Sequence, residues 1–394
     1  MNLLIIQILE CERMRKVCVV ITARASYSRI KGAMLAIKKS PDMQLQLVVA
    51  ASAMLNRYGD AYKQIEDDGF TIDRKIYSVV EGENPIAMVK TTGIGMIELV
   101  TAFNDLKPDL VVTIADRYET IATAIAASYS NIPLAHIQGG EVTGNIDEKV
   151  RHAITKLSDL HLVASEKAAE RVIKMGENPE RVFVTGCPSI DLAAKAIMPE
   201  LDFDPIERYG GSGEKKFAPD DYYIVIQHPV TDERGMSCQQ VTETLRAMYE
   251  LGKPTYWIWP NADSGSDETS KGIRVFRDRY KPQNIWFFRD IPSRDFLKLL
   301  YHSNGIVGNS SVAIRECSFL GVPAINIGSR QSGRDRAENV TDVDYNKDAI
   351  LEAINMRKTM PRKQSRLYGD GHAGERIAEV LRTAKLTYTK KLIY

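Results

Sequence analysis

From Lys16 onward the chain alternates short apolar, β-branched runs with stretches of helical period. VCVVIT (Val17 to Thr22) precedes a helix beginning near Tyr27, and LQLVVAA (Leu45 to Ala51) follows it. DLVVTIA (Asp109 to Ala115) leads into a helix of ETIATAIAAS character, and PLAHI (Pro133 to Ile137), LHLVAS (Leu160 to Ser165) and RVFVTG (Arg181 to Gly186) continue the series. Strands that are apolar on both faces and alternate with helices predict a parallel sheet covered by helices on both sides.

The period stops across PELDFDPIERYGGSGEKKFAPDD, Pro199 to Asp221, where proline, glycine and charge accumulate as in a linker or peripheral loop. It restarts with YYIVIQH (Tyr222 to His228), TYWIWPN (Thr255 to Asn261), NIWFFR (Asn284 to Arg289), GIVGN (Gly305 to Asn309) and PAINIG (Pro323 to Gly328). The fold class read from this is α/β, two doubly wound Rossmann-like domains. Ligands in such sheets bind beyond the carboxyl ends of the strands, so the active site is expected in a cleft between the halves. The expected organisation is an extension over 1–14, a first domain over 15–187 and a second over 188–370. A last helix over 371–394 is expected to pack back on the first.

Length and charge narrow the function. A chain of 394 residues is long enough for two domains with their own cores. Lys and Arg number 52 against 51 Asp and Glu, so no global field gathers nucleic acid or an anionic membrane, and an anionic ligand must be held locally. Five scattered cysteines without a CxxC spacing point to reduced thiols, a cytoplasmic location and no zinc site. NLLIIQIL near the start is too short to span a bilayer and is followed, not preceded, by basic residues, so it reads as an extension ahead of a domain starting near Met14. No other stretch reads as transmembrane.

Polar residues just after strands are the candidates for chemistry. In GIVGNSSVAIRECSFLG, Ser310 and Ser311 stand at a helix start, where free N–H groups and the dipole favour phosphate, although either serine serves equally well as an N-cap. Glu316, further along the same helix, can accept both hydroxyls of a ribose. His228 follows a strand with Pro229 fixing the turn. GSRQSGRDR supplies Arg330, Arg334 and Arg336 as a possible diphosphate clamp. In the first half, Arg24 and Ser28 follow one strand and Asp116 and Arg117 another. HIQGGEVTGNIDEKVRH then supplies Gln138, Glu141, Asp147, Glu148, Arg151 and His152. Anion-binding groups in one half and carboxylates in the other suit a nucleoside diphosphate grip paired with acid and base work on a sugar.

The motifs ITARASYSRI, ADRYE, HIQGGEVTGNIDEKVRHAITKL, VTGCPSID, QHPVT, PNADSGS, GNSSVAIRE and NIGSRQSGR, in this order, resemble those of the UDP-N-acetylglucosamine 2-epimerases. EVTGNID with RHAITKL leans toward the hydrolysing branch, which makes free N-acetylmannosamine for sialic-acid-type sugars. The resemblance implies a glycosyltransferase-B-like fold, a nucleotide-sugar substrate, no cofactor and no metal, and a homodimer or homotetramer. It also implies UDP-binding roles for Arg24, Ser28, Arg117, His228, Asn261, Ser310, Ser311, Glu316 and Arg330. The backbone near Ile291 is implied to read uracil, and Asp116 and Glu148 to carry protons, with Gln138 and His228 beside them in the catalytic set.

The chain departs from the family pattern at Gln138, where relatives carry glutamate, and at Ser26 and Ile114. Glutamine cannot shuttle a proton at neutral pH. The departures keep alternatives open: a hydrolysing 2-epimerase for a modified nucleotide sugar such as a UDP-2,4-diacetamido-trideoxyhexose, a non-hydrolysing epimerase, or a glycosyltransferase of the same fold.

Overall fold

A computed structural model describes residues 14–56, 59–82, 84–143, 146–211, 221–230, 233, 235–260, 266–289 and 291–393. By internal contacts the chain forms two compact units. Unit 1 holds the chain up to Glu141, Ile146–Pro188 and the stretch from His372 on; unit 2 holds Ser189–Gly371 and the short turn beginning at Val142.

Unit 1 runs β1 (Arg15–Ile21), α1 (Arg24–Lys39), β2 (Met43–Ala50), α2 (Ala61–Asp67), β3 (Arg74–Ile76), α3 (Pro85–Leu106), β4 (Leu110–Ile114), α4 (Thr120–Tyr129), β5 (Leu134–Ile137), α5 (Ile146–Leu157), β6 (Leu160–Val163), α6 (Glu166–Lys174) and β7 (Val182–Val184). Its strands form one parallel sheet in the order β3-β2-β1-β4-β5-β6-β7. Val17, Val19 and Ile21 of β1 bury one face against Ile30, Met34 and Ile37 of α1, while Cys18 and Val20 join Leu99 and Phe103 of α3 on the other. A strand with no solvated face has no reason to alternate, which is why these runs are continuously apolar.

Unit 2 begins in α7 (Pro188–Ala194) and continues through α8 (Pro205–Tyr209), β8 (Tyr223–Ile226), α9 (Ser237–Leu251), β9 (Thr255–Ile258), α10 (Ser266–Tyr280), β10 (Ile285–Phe288), α11 (Ser293–His302), β11 (Gly305–Gly308), α12 (Glu316–Leu320), β12 (Ala324–Ile327), β13 (Val340–Val343) and α13 (Lys347–Lys358). The strands again form one parallel sheet, in the order β10-β9-β8-β11-β12-β13. Its two faces are covered by separate apolar clusters, one around Trp286 and Phe288 and the other around Trp257 and Phe287. The last helix, α14 (Ala373–Thr383), returns to unit 1, where Ile377, Ala378 and Leu381 pack with the α1 side of the core.

Three expectations change. The first helix begins at Arg24, not near Tyr27. The polar stretch from Pro199 is not a free linker, because α8 lies inside it. There Phe203, Ile206 and Tyr209 pack on the unit 2 core and Tyr209 Oη donates to Asp295, although residues 212–220 lie outside the described ones. Finally, α3 is 22 residues and, by length and composition alone, long and apolar enough to cross a bilayer. Its Ala87, Thr91, Gly95, Leu99 and Phe103 are buried within unit 1.

Candidate functional site

In each sheet the strand order reverses once, between β1 and β4 in unit 1 and between β8 and β11 in unit 2. Chain connections leave in opposite directions there, so a crevice opens beyond the strand ends, and that is where side chains can meet a ligand.

At the unit 1 switch point the loop after β4 carries Asp116, whose carboxylate is ion-paired with Arg151 of α5. The Arg151 side chain is 1% exposed, and its Nη1 also donates to the Glu141 carbonyl at 2.8 Å. A guanidinium this buried must stay paired, and through these two contacts it fixes Asp116 and the chain at Glu141 against α5. Glu141 is itself buried. Glu148 lies one helical turn before Arg151 on α5 and meets His152 at 3.3 Å, both partly exposed. Arg117 donates through Nε to Glu119 at 2.8 Å, so the arginine expected to hold UDP carries a buried acid beside it.

The strand ends themselves are strained. Ala115 and Gln138, directly after the paired strands β4 and β5, take φ of +64° and +67°, a left-handed conformation disfavoured for residues with a Cβ. Hydrogen bonds hold them there: Ala115 N–H donates to Ile137 O at 3.0 Å and Gln138 N–H to Leu162 O at 2.9 Å. His136 completes the clamp, with Nε2 3.0 Å from the Ala115 carbonyl and Nδ1 3.2 Å from Thr155 Oγ1. Burial lowers the pKa of His136 to about 3, so the ring is neutral. The carbonyl can only accept, which makes Nε2 the donor and leaves Nδ1 to accept from the threonine hydroxyl.

Gln138, placed by the resemblance in the catalytic set, is held internally. Its side chain is buried within unit 1, with Nε2 donating to Cys187 Sγ at 2.8 Å and Oε1 buried without a partner among the described residues. The glycines after it are also committed internally. A Cβ on Gly140 would lie 2.3 Å from the Ala168 carbonyl oxygen, so the absent side chain lets α6 close on the turn. Of the first-half UDP candidates, Arg24 opens α1 and Ser28 Oγ donates back to the Arg24 carbonyl at 3.3 Å within that helix.

At the unit 2 switch point Asn309, which the sequence reading passed over in favour of the serines beside it, is the hub. Its side chain is fully buried, accepts from the His228 N–H at 2.7 Å and donates to the His228 carbonyl at 2.8 Å, tying the ends of β8 and β11 together. Its own carbonyl accepts from Arg330 Nη1 at 3.1 Å and Gln331 Nε2 at 2.9 Å. One geometric cue was available: a planar amide following a strand-ending glycine can pair with a neighbouring backbone as another peptide would.

Ser310 and Ser311 do not share a helix with Glu316. They open a 3₁₀ turn, Ser311–Ala313, which Ser310 caps by accepting from Val312 N–H at 3.4 Å; the chain then breaks at Arg315, and α12 starts at Glu316. Ser311 Oγ accepts from the buried Arg315 at 2.8 Å. The Glu316 side chain is buried with Oε2 lacking a partner among the described residues, and Gln227 Oε1 and Gln331 Oε1 are in the same condition. Buried acceptors of this kind require donors from somewhere, and hydroxyl or N–H groups of a ligand would supply them. Arg336, expected in the phosphate clamp, is instead tied down within its loop, donating to Gln331 O at 2.9 Å and meeting Asp342 at 2.6 Å. The Ile291 side chain is buried in the unit 2 core, and Asn261 lies outside the described residues.

Comparison with known proteins adds the following. A family profile described as UDP-N-acetylglucosamine 2-epimerase matches residues 35–382. A UDP-N-acetylglucosamine 2-epimerase of Neisseria meningitidis is 32% identical over 341 residues, 86% of this chain and 87% of that protein. Polysialic acid biosynthesis protein P7 of Escherichia coli is 35% identical over 347 residues, 87% of this chain and 86% of that protein. A Legionella pneumophila protein named UDP-N,N'-diacetylbacillosamine 2-epimerase (hydrolyzing) is 32% identical over 373 residues, 94% of this chain and 97% of that protein. Among solved structures, UDP-GlcNAc 2-epimerase from N. meningitidis bound to UDP-GlcNAc superposes with a TM-score of 0.78 at 19% identity, covering 93% of this chain and 99% of that one.

Proposed function

The chain belongs to the UDP-N-acetylglucosamine 2-epimerase family, and from that premise we propose that it is a hydrolysing member, converting UDP-N-acetylglucosamine and water to UDP and free N-acetylmannosamine. In this reading the nucleotide is held mainly by residues of unit 2, with Arg24, Ser28 and Arg117 of unit 1 added to them, and the carboxylates of unit 1 handle the sugar's protons.

The C2 proton of an N-acetylhexosamine has no adjacent carbonyl and is only weakly acidic, so a carboxylate alone does not remove it. The C1–O bond to the diphosphate breaks early, its electron pair leaves with UDP, and the C2 proton passes to a base, giving 2-acetamidoglucal. Water then adds at C1 while an acid protonates the opposite face of C2. Stabilising the departing diphosphate is assigned to the turn at Ser310 and Ser311 with His228, Arg330, Arg24, Ser28 and Arg117. Glu316 Oε2 is assigned to the ribose, Asn261 to the UDP, the backbone near Ile291 to the uracil, and Asp116 and Glu148 to the two proton transfers. Gln138 is assigned an indirect role, holding the turn between them.

The observation that carries this reading is the Asp116–Arg151 pair at the β4 end. A buried arginine fixes this carboxylate at a strand end, where it can accept a proton from the sugar. A second reading, hydrolysis and epimerisation of a UDP-2,4-diacetamido-trideoxyhexose, is supported by the Legionella relative and by Gln138 in place of glutamate.

The test is incubation with UDP-N-acetylglucosamine in deuterated water, followed by NMR. Free N-acetylmannosamine carrying deuterium at C2, with UDP released, is the expected result. Epimer still bearing UDP would move the chain to the non-hydrolysing branch. Turnover of the diacetamido substrate alone would establish the second reading, and no turnover of either without an acceptor would indicate a transferase.

A further inference from the structure

We propose that Lys390, in the segment that follows α14, is a positioning residue for Asp116, acting from the opposite edge of the sheet by fixing the carboxyl end of α5. The proposal rests on the assignment of proton transfer to Asp116 above and adds to it a residue that works at a distance.

The segment after α14 crosses the amino edge of the unit 1 sheet. Arg15, opening β1, donates to the Leu381 and Ala384 carbonyls, and Arg181, just ahead of β7, donates to the Lys385 carbonyl. Further on, Ile393 N–H donates to Gly176 O at 3.1 Å, and a Cβ on Gly176 would lie 2.5 Å from Leu392 Cδ1, so the glycine leaves room for the leucine. All seven strands run the same way, which puts these contacts at the edge opposite the loop that carries Asp116. Between the anchors Lys390 is only 26% exposed, and a lysine sinks that far only where its ammonium is met. Its Nζ lies 3.1, 2.8 and 2.6 Å from the carbonyl oxygens of Thr155, Lys156 and Ser158, and 2.6 Å from the Glu177 carboxylate. Carbonyls at the end of a helix lack partners within it and carry the negative end of its dipole, so a cation that only donates is matched to them. Glu177 is buried and also receives Lys156 Nζ at 2.5 Å and His161 Nε2 at 3.0 Å, so α5 cannot slip there without unpairing buried charge.

The end of α5 that Lys390 holds reaches Asp116 by two routes. Arg151, one turn before Thr155, pairs with the carboxylate directly. Thr155 itself, whose carbonyl meets Lys390, donates its hydroxyl to His136 Nδ1 at 3.2 Å, and His136 Nε2 donates to the Ala115 carbonyl at 3.0 Å. Ala115 adjoins Asp116 and is held at φ of +64°, a conformation that persists only while its surroundings enforce it. A movement of α5 along its axis therefore disturbs the ion pair and the strained residue together. Burial first, with the charge of Lys390 among the lesser causes, keeps His136 neutral, the state that this relay requires.

The test compares Lys390→Met with Lys391→Met, its exposed neighbour, on UDP-N-acetylglucosamine, or on the diacetamido sugar nucleotide if only that is turned over. Lys390→Met is expected to lower kcat by about 10- to 10²-fold, the cost of a small misplacement of a reacting group, with KM and the UDP dissociation constant within about twofold of wild type. Lys391→Met should match the wild type. Thr155→Val should lower kcat as Lys390→Met does, and the double variant should fall no further than the worse single one, because both cut the same relay. Amide exchange in Lys390→Met should quicken at Ala115 and Asp116 and stay unchanged in β1. An unchanged kcat overturns the proposal. So do losses that multiply in the double variant, or exchange that quickens throughout unit 1, either of which makes Lys390 a general support. If the wild type turns over neither sugar nucleotide, the reaction reading fails by itself; quickened exchange confined to Ala115 and Asp116 then still supports the link from Lys390, and its absence overturns it.

Discussion

Both units turn their chain sharply at the ends of the central strands, but with opposite materials. In unit 1 the left-handed positions after β2, β4 and β5 are Ala51, Ala115 and Gln138, at φ of +52°, +64° and +67°. In unit 2 the comparable positions are glycines, Gly308 at +136° ending β11 and Gly328 at +71° following β12. Glycine takes such angles at little cost, and at Gly308 it does more: a Cβ there would sit 2.0 Å from the Ile226 carbonyl oxygen. That close approach lets Asn309 reach across to His228. Unit 1 accepts strain of about 1–2 kcal/mol per residue and pins it with buried polar groups, His136 foremost. Unit 2 is thus a cradle shaped by missing side chains, and unit 1 a set of side chains held in place against resistance. Backbone cradles suit an anionic ligand; a carboxylate fixed in place suits proton transfer.

The sharpest break of that comparison is Asp116→Asn. Turnover is expected to fall by about 10²–10⁴-fold, the usual range for losing a general acid or base, with the UDP dissociation constant from calorimetry within about twofold of wild type. Parallel loss of UDP binding would collapse the division between the units. Next in size is Gly308→Ala, expected to destabilise unit 2 by about 3–5 kcal/mol in urea unfolding followed by the tryptophans, all three of which lie in that unit. Ala115→Gly in unit 1 should do the reverse by about 1 kcal/mol, and a loss of stability there would show that the position carries no strain.

The third test uses pH. His136 titrates near 3 when folded and near 6.5 when unfolded, so the unfolded chain binds the extra proton between those values. Its contribution is complete above about pH 6.5 and is lost as pH falls from there. Glu177 follows lower down. Burial pushes its carboxyl up, but hydrogen bonds from His161, Lys156 and Lys390 outweigh that and bring it to about 2, so its contribution fades from about pH 4.5 downward. A melting series from pH 7.5 to 5 should therefore become shallower in His136→Phe, with His161, whose pKa burial also lowers, keeping part of the slope, and stay steep in Glu177→Gln. Smaller again, Glu316→Gln is expected to weaken UDP binding by about tenfold, the worth of one hydrogen bond to a charged group. Smallest, Gln138→Ala should cost about 1 kcal/mol of stability and less than tenfold in turnover. A larger kinetic loss with an unchanged melting point would restore Gln138 to the sugar.

The sequence by itself determined the architecture, because a strand buried on both faces must be apolar throughout, and the eleven runs of that kind leave little choice but two parallel sheets, to which the structure adds the short, partly exposed edge strands β3 and β13. It determined the family as well, since the motifs sit at strand ends where the fold puts ligands. Gly321 could be read as a helix stop because glycine takes the left-handed cap conformation that other residues avoid, and it takes φ of +69° after α12. Only the tertiary structure decided which polar residues are spent internally. Gln138 and Glu316 are each a polar residue near a strand end and each keeps one buried oxygen without a partner among the described residues, yet only Gln138 also donates, to Cys187. Arg151 and Arg336 are both arginines in charged surroundings, and one secures Asp116 while the other secures its own loop. Spacing along a chain fixes the face on which a side chain starts. Its partner comes from an element far away in sequence, and for Gln138, Asp116 and Asn309 that partner was set by how the sheets and helices packed.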